Sequence, residues 1–319
     1  MEDSGAARGH EPLKDAVLIA GPTASGKSAL ALDLARQSGG VIVNADSMQV
    51  YDVLRVVTAR PGEDDLAAAP HFLYGHVSPA VAYSTGAWTR DVSHLISSGA
   101  LEGRQAIFVG GTGLYFRALL GGLSDMPAVP DELRARWRGR LAEEGPGALH
   151  AVLAERDPET AASLRPGDGQ RIVRALEIID ASGRSIRHWQ QRGSAPLVDP
   201  DTATRLVLDI DRSVLHARIN TRFERMAEEG ALEEVARLRA MKLDPALPAM
   251  KAIGVPELGR YQDGETTLAE AIERAQAATR QYAKRQMTWF RNQFGEEWRR
   301  ISGTIQGCRQ DCPVELKLC

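Results

Sequence analysis

The stretch Gly21-Pro22-Thr23-Ala24-Ser25-Gly26-Lys27-Ser28 fits G-x-x-x-x-G-K-[ST], the pattern of a phosphate-cradling P-loop. An apolar run, Ala16-Val17-Leu18-Ile19-Ala20, leads into it, and a helical run from Ser28 to Arg36 leads out. Strand, loop and helix in that order are the context the motif requires. The glycines let backbone N–H groups converge on phosphate oxygens, and the helix adds the positive end of its dipole. Lys27 would neutralise phosphate charge, and the Ser28 hydroxyl would reach a Mg²⁺. The stretch predicts a bound di- or triphosphate and leaves open which bond is broken.

Working outward, three more short apolar runs read as buried parallel strands: Val41–Val43, Ala106–Val109 and Leu206–Ile210. With helical patterns between the first ones, they predict a doubly wound α/β fold whose ligands sit at the carboxyl ends of the strands. Those ends carry Gly21 onward, Asn44-Ala45-Asp46-Ser47, Gly110-Gly111-Thr112-Gly113 and Asp209 onward. From about Pro127 to Pro200 strand-like runs vanish. Arg-rich helical patterns take their place, between breaks such as Glu144-Gly145-Pro146-Gly147. The organisation expected is a core first part over 1–126, a helical insertion domain over 127–200, core completion over 201–300 and a disordered tail over 301–319. Two long helices are expected in the completion, Ser213 to Met241 and Thr266 to Phe294, the second capped by Thr266 or Thr267.

The chain of 319 residues is 43% hydrophobic, enough for a substantial core. No apolar run approaches the roughly 18–20 residues of a membrane span. Met1 to Lys14 is polar and of mixed charge, unlike a signal peptide, so a cytoplasmic protein is expected. The three cysteines, Cys308, Cys312 and Cys319, crowd the last dozen residues and give no disulfide framework. The net charge of −3 carries no global signature of nucleic-acid binding. Locally the picture differs. Arg134, Arg136, Arg138 and Arg140 recur within one short helical stretch, and Arg280, Lys284, Arg285 and Arg291 lie on the last long helix. On that helix Leu268, Ala271, Ala275, Ala278, Tyr282 and Trp289 share one side, with Arg280, Lys284 and Arg291 nearly opposite. Such a stripe either tracks a phosphate backbone or is a solvated face. In the preceding helix Leu215, Ile219, Phe223 and Met226 are spaced for a core. Arg218, Arg222 and Arg225 form a row beside them that can fork onto pyrophosphate oxygens or pair with Glu229.

Two residues carry candidate chemistry. Asp46 follows the second strand at the P-loop end of the sheet, where its carboxylate either accepts a proton or caps a turn. Thr112 ends the third strand between glycines that allow close ligand approach. Its hydroxyl either contacts a ligand or belongs to a tight turn.

Taken together, Gly21–Ser28, Asp46-Ser47-Met48-Gln49-Val50-Tyr51 and Gly110-Gly111-Thr112-Gly113-Leu114-Tyr115-Phe116-Arg117-Ala118-Leu119 resemble the tRNA dimethylallyltransferases. Collinear with these are Gln170-Arg171, Arg174-Ala175-Leu176-Glu177, Ala249-Met250-Lys251-Ala252-Ile253-Gly254 and Thr279-Arg280-Gln281-Tyr282-Ala283-Lys284-Arg285-Gln286, so the resemblance spans about residues 16–300. It implies an α/β fold with a P-loop NTPase-like parallel-sheet core and a helical insertion domain. It also implies transfer of a dimethylallyl group from dimethylallyl diphosphate to the N6 amine of the adenosine 3′ of the anticodon in tRNA, releasing pyrophosphate. Gly21, Thr23, Ala24, Ser25, Gly26, Lys27 and Ser28 then hold the donor's diphosphate rather than ATP, with Mg²⁺ as cofactor on Ser28. Asp46 matches the family's general base, Thr112 a residue that orients the reacting groups, and Arg222 one that stabilises leaving pyrophosphate. Ser47, Met48, Gln49, Arg134, Gln170, Arg171, Arg174, Lys251 and Gly254 match segments that contact the tRNA anticodon stem-loop. Arg280, Lys284 and Arg285 join them as the basic stripe. No membrane partner is implied, and a monomer suffices.

The stretch Leu54-Arg55-Val56-Val57-Thr58-Ala59-Arg60-Pro61 departs from the family pattern. Arg55 stands where that pattern has an acid and Val57 where it has glycine. A glycine position needing positive φ would strain Val57. Cys308 and Cys312 do not match a zinc finger. From the P-loop alone, a small-molecule or nucleotide kinase is the alternative enzyme, and a non-catalytic RNA-binding protein the alternative outside enzymes.

Overall fold

In the computed structural model, residues 11–302 are described apart from 122, 123, 125, 192 and 194. The tail expected over 301–319, with its cysteines, lies almost wholly outside them. The first strand, β1 (Val17–Ala20), is buried at every residue, as a strand covered on both faces must be. The chain continues through α1 (Lys27–Ser38), β2 (Val41–Asn44), α2 (Glu63–Ala68), β3 (His71–Phe72), α3 (Thr85–Ser97), β4 (Ala106–Gly110) and α4 (Gly113–Gly121). Next come α5 (Asp131–Arg156), α6 (Pro158–Ala162), α7 (Gly169–Ser182) and α8 (Ile186–Gln190). It closes with β5 (Thr204–Asp209), α9 (Arg212–Glu228), α10 (Ala231–Ala240), a 3₁₀ turn (Ala249–Lys251), α11 (Val255–Gln262), α12 (Leu268–Gln293) and β6 (Arg299–Ser302).

The six strands form one parallel sheet in the order β3-β2-β4-β1-β5-β6. β1 lies between β4 and β5, with Ala20 level with Gly110 and Val207. The carboxyl ends of β1, β2 and β4 therefore open on one edge, and the loops that follow them meet there. Alternate residues feed two cores. Leu18, Val43 and Phe108 pack with Trp88, Phe116 and Phe290 on one face. Ile19, Ile42 and Ile107 pack with Leu30, Leu34 and Leu206 on the other.

Two compact units emerge: Met1–Leu120 with Pro196–Cys319, and Gly121–Ala195. The second is all helical around its own core of Trp137, Leu149, Leu153, Ile172 and Leu176. α5 breaks at Gly145 (φ +77°), ahead of Pro146. The long helix expected from Ser213 to Met241 is instead two. α9 ends at Glu228, and Gly230, at φ +109°, turns the chain into α10. A left-handed residue cannot continue a helix, and glycine adopts that conformation at no steric cost. The late helix starts at Leu268 with Thr267 as N-cap, its hydroxyl accepting from Glu270 N–H. Its buried face is more polar than expected. Gln276, Thr279 and Gln286 lie with Ala271, Ala275, Ala283 and Phe290, while Tyr282 and Trp289 are only half-buried. β3 and β6 were not foreshadowed, since one has two residues and the other buries only Ile301.

Candidate active site

The P-loop turns from β1 into α1 through two left-handed residues, Ala24 (φ +64°) and Gly26 (φ +92°). Gly21 is required by space: a Cβ there would fall 2.8 Å from Ser25 Oγ and 3.1 Å from Leu208 Cβ. Ser25 is fully buried, and its hydroxyl has no protein hydrogen-bond partner. The first-turn N–H groups of α1 have no acceptor within their own helix, so the loop is a concave row of donors. Lys27 Nζ curls back to Pro22 O at 3.2 Å. Desolvation by the surrounding protein pulls its pKa down to about 8, opposed by the Asp46 carboxylate and reinforced by Arg222. Ser28 is exposed at the mouth of the loop, its hydroxyl open to a ligand. This donor set fits a diphosphate. One neutral hydroxyl beside it fits Mg²⁺, which takes few protein ligands and fills its shell with phosphate oxygens and water.

Two helices tie the loop to the rest of the site. Arg222 of α9 donates to Thr23 Oγ1 at 2.5 Å, and Arg218 donates to Ser25 O at 3.4 Å. Arg225, third in the expected row, instead pairs with Glu229 at 2.8 Å on the surface. From α12, buried Gln286 accepts the Thr23 N–H through Oε1 and donates through Nε2 to Gly111 O, both at 2.9 Å. One primary amide thus bridges the P-loop and the end of β4.

Beside that bridge lies Asp46. Buried Asn44 shapes its loop: Nδ2 donates to Asp46 O (2.9 Å) and Leu73 O (3.0 Å), and Oδ1 accepts Asp46 N–H (2.8 Å). The Trp88 indole N–H fixes the Asn44 carbonyl at 2.9 Å. Asp46 does cap a turn, its Oδ1 accepting Met48 N–H at 2.9 Å. It also faces a charged and aromatic surround. It acts electrostatically on Lys27 and Arg222. Burial first, and the Asp46 charge second, hold the Tyr74, Tyr115 and Tyr282 phenols above their ordinary range. Thr112 Oγ1 accepts Ser47 N–H at 2.9 Å and donates to Ser47 Oγ at 3.3 Å, so it holds the Asp46–Ser47 segment against the end of β4. The glycines around Thr112 make room for protein and not, as expected, for a ligand. A Cβ on Gly110 would lie 2.0 Å from Ala45 O, one on Gly111 2.1 Å from Gln286 Nε2, and one on Gly113 2.1 Å from the Trp289 ring.

Of the residues expected to meet nucleic acid, Ser47, Met48 and Gln49 follow Asp46 directly. Gln49 Nε2 is bound to the Thr58 and Ala59 carbonyls, both at 2.9 Å. That loop rests on buried Glu234 of α10, whose carboxylate accepts the N–H groups of Arg55, Val56 and Val57 at 2.7–3.1 Å. Val57 is not at positive φ; the left-handed residue is Ala59 (φ +54°), so the expected strain at Val57 does not arise. Lys251 is exposed. Gly254 is buried at φ +102°, with its N–H bound to Glu257 Oε2 at 2.8 Å and Val57 and Phe223 against it. Its backbone is enclosed in the core, which separates it from the exposed candidates. Lys284 is exposed, Arg280 donates to Asn220 Oδ1 at 2.6 Å, and Arg285 lies over the Tyr282 ring.

Within the helical unit Gln170 is exposed, while Arg134, Arg171 and Arg174 pair with Asp131, Asp168 and Glu177. The arginine cluster of α5 is partly structural. Arg136 and Arg156 both bind Asp180, which also accepts the Trp137 N–H at 2.8 Å, and Arg140 pairs with Glu144.

Known proteins resemble this chain over most of its length. The IPP transferase family model matches residues 49–293, and an isopentenyl transferase model matches residues 14–73. The chain is 60% identical over 301 residues to a tRNA dimethylallyltransferase of Mesorhizobium japonicum, covering 94% of each protein. It is 61% identical over 286 residues to one from Chelativorans, covering 90% of this chain and 98% of the relative. Among solved structures it resembles a tRNA isopentenylpyrophosphate transferase of Bacillus halodurans (TM-score 0.65, 31% identity, 94% of each chain). It also resembles a eukaryotic dimethylallyltransferase acting on tRNA (TM-score 0.77, 26% identity, 92% of this chain and 75% of the other).

Proposed function

This chain belongs to the IPP transferase family and is an enzyme that transfers a dimethylallyl group to tRNA, and from that premise we propose how its residues do so. The donor is dimethylallyl diphosphate. Its diphosphate lies in the P-loop, Gly21 to Ser28, on the free N–H groups of the first turn of α1, with Lys27 as the charge partner. Ser28 would hold a Mg²⁺, which when bound neutralises diphosphate charge. The acceptor is the N6 amine of the adenosine 3′ of the anticodon. An exocyclic adenine amine is a weak nucleophile, because its lone pair is shared with the ring. As the allylic C–O bond breaks, positive charge grows on carbon and negative charge on pyrophosphate. Lys27, Arg222 and the loop amides face the anion, and such preorganised donors act without reorganising as charge develops. Asp46 takes the amine proton as the C–N bond forms, a contribution of about 10²–10⁴-fold. Thr112 acts through Ser47 to hold Asp46 on the acceptor side.

The adenine must leave its stack to reach a donor at the sheet edge, and loop nucleotides leave most easily. Ser47, Met48 and Gln49 meet the flipped base, while Lys251, Arg280, Lys284 and Arg285 meet phosphates. Gln170, Arg134, Arg171 and Arg174 meet the RNA on the helical unit. A monomer carries every residue this chemistry needs. Membership of the family decides against the kinase and the non-catalytic readings of the P-loop. No helix among the described residues is long and apolar enough to cross a membrane.

The observation that carries the proposal is the hydrogen-bonded link between P-loop and acid: Gln286 joins Thr23 N–H to Gly111 O, each at 2.9 Å, and Thr112 beside it holds Ser47 N–H, next to Asp46, at 2.9 Å. The experiment is incubation of the purified protein with dimethylallyl diphosphate and unmodified tRNA. Pyrophosphate release and a nucleoside heavier by one dimethylallyl group are expected together. Release without nucleoside modification would overturn the acceptor assignment.

A further inference from the structure

The cations of α12 do not act alone. Arg280, Lys284, Met287 and Arg291 stand at i, i+4, i+7 and i+11, one stripe along the helix. Across a cleft of about 210 Å³ they meet Arg212 and His216 from the first turns of α9. The floor is apolar, made by Leu215, Ala283 and Met287. Among the described residues no carboxylate lines the cleft, and Arg212, Lys284 and Arg291 form no ion pair. Burial first, and then the neighbouring Arg212 and Arg280 charges, push the His216 pKa down. The cleft's positive charge is a local excess on a chain of net charge −3.

We propose that this two-walled cleft is a groove for the phosphate backbone of an RNA strand, a reading that rests on tRNA being the acceptor. Length selects RNA over a small diphosphate. From Arg280 to Arg291 is eleven residues, about 16 Å along the helix at 1.5 Å per residue. One diphosphate cannot engage both ends, whereas a chain of repeating phosphates meets each cation in turn. The apolar floor accommodates the sugar and base edges between phosphates. The groove runs along α9 away from Arg222, so it positions RNA without touching the reacting atoms. It also gives Arg212, His216 and Arg291 a role beside Arg280 and Lys284; Arg285, over the Tyr282 ring, lies outside the cleft and would meet RNA separately.

The test is the double variant R212Q/R291Q, with R212K/R291K as its charge-conserving control. The readouts are KM for tRNA and for dimethylallyl diphosphate, and tRNA binding from 50 to 200 mM salt. Each phosphate contact contributes about 0.7–0.9 to the slope of log K against log salt. The glutamine pair is expected to lower that slope by about 1.5 and to raise KM for tRNA about tenfold at low salt. The lysine pair should restore most of both. An unchanged slope and unchanged tRNA KM in a variant that melts like the wild type would overturn the proposal. A raised KM for the donor alone would overturn it too, by assigning the cleft to the small diphosphate. Either outcome leaves the transferase reading standing, because that reading fails only if the wild-type protein modifies no tRNA.

Discussion

Replacing Gln286 by alanine tests whether donor cradle and acceptor pocket are held as one piece. The side chain is nearly fully buried, and its amide makes two hydrogen bonds of 2.9 Å, one to each half of the site. Truncation strands the Thr23 N–H and the Gly111 carbonyl. A buried polar group left unpaired costs about 1–3 kcal/mol, so two cost about 2–6 kcal/mol if nothing replaces the amide. Water entering the vacated space recovers part of this, leaving about 3 kcal/mol. If that loss falls on the geometry that lines up donor and adenine, it is about a hundredfold in kcat/KM, at 1.36 kcal/mol per decade. Steady-state kinetics with both substrates reads it directly. Gln286→Glu discriminates further. It still accepts the Thr23 N–H, but it cannot donate to Gly111 O and it brings negative charge toward the diphosphate. Its donor KM should exceed that of Gln286→Ala. A Gln286→Ala enzyme within threefold of wild type in kcat/KM would refute the reasoning.

Four further outcomes follow from the electrostatics and geometry. If Lys27, its pKa lowered to about 8 by burial, binds the diphosphate as the cation, donor KM should be flat below pH 8 and climb toward tenfold per unit above it; a flat profile to pH 9.5 would contradict this. Asp46→Asn removes the charge that raises the Lys27 pKa, so the same break should move to lower pH. Glu234→Gln replaces a carboxylate that accepts three consecutive backbone N–H groups; it should loosen the loop that holds Gln49 and raise KM for tRNA severalfold with donor KM unchanged, measured by the same kinetics. In the helical unit, Asp180→Ala should lower stability by about 2–3 kcal/mol in denaturant unfolding, because it strands Trp137 Nε1 and two arginines.

The P-loop, three of the flanking strands and the placing of Asp46 and Thr112 at the sheet edge were legible because they follow from local pattern. Short apolar runs ending in glycine or polar residues place a site at a sheet edge whatever the rest of the chain does. The missed features are tertiary. Gln286 sits on the buried face of α12, where sequence periodicity registers only an interruption of the apolar stripe; a polar residue at a core position was the available signal. Asn44 ends a buried strand and reads as a turn residue until its two carbonyl partners are known. Arg218, Arg222 and Arg225 are equivalent in spacing, and only packing separates the two that meet the P-loop from the one that meets Glu229. Gly230 looks like a tolerable helical glycine, yet its left-handed backbone splits the helix. The glycines around Thr112 suggested ligand access, while their neighbours are the backbone of Ala45, the Gln286 amide and the Trp289 ring.

In the proposed mechanism Asp46 removes the proton from an adenine amine while the P-loop grips the leaving diphosphate. Its most direct test is the single-turnover rate of prenyl transfer by Asp46→Asn, with donor and tRNA both saturating and donor binding measured separately. The expected rate is about 10²–10⁴-fold below wild type, with donor affinity changed less than tenfold at pH 7. A single-turnover rate within tenfold of wild type would contradict it.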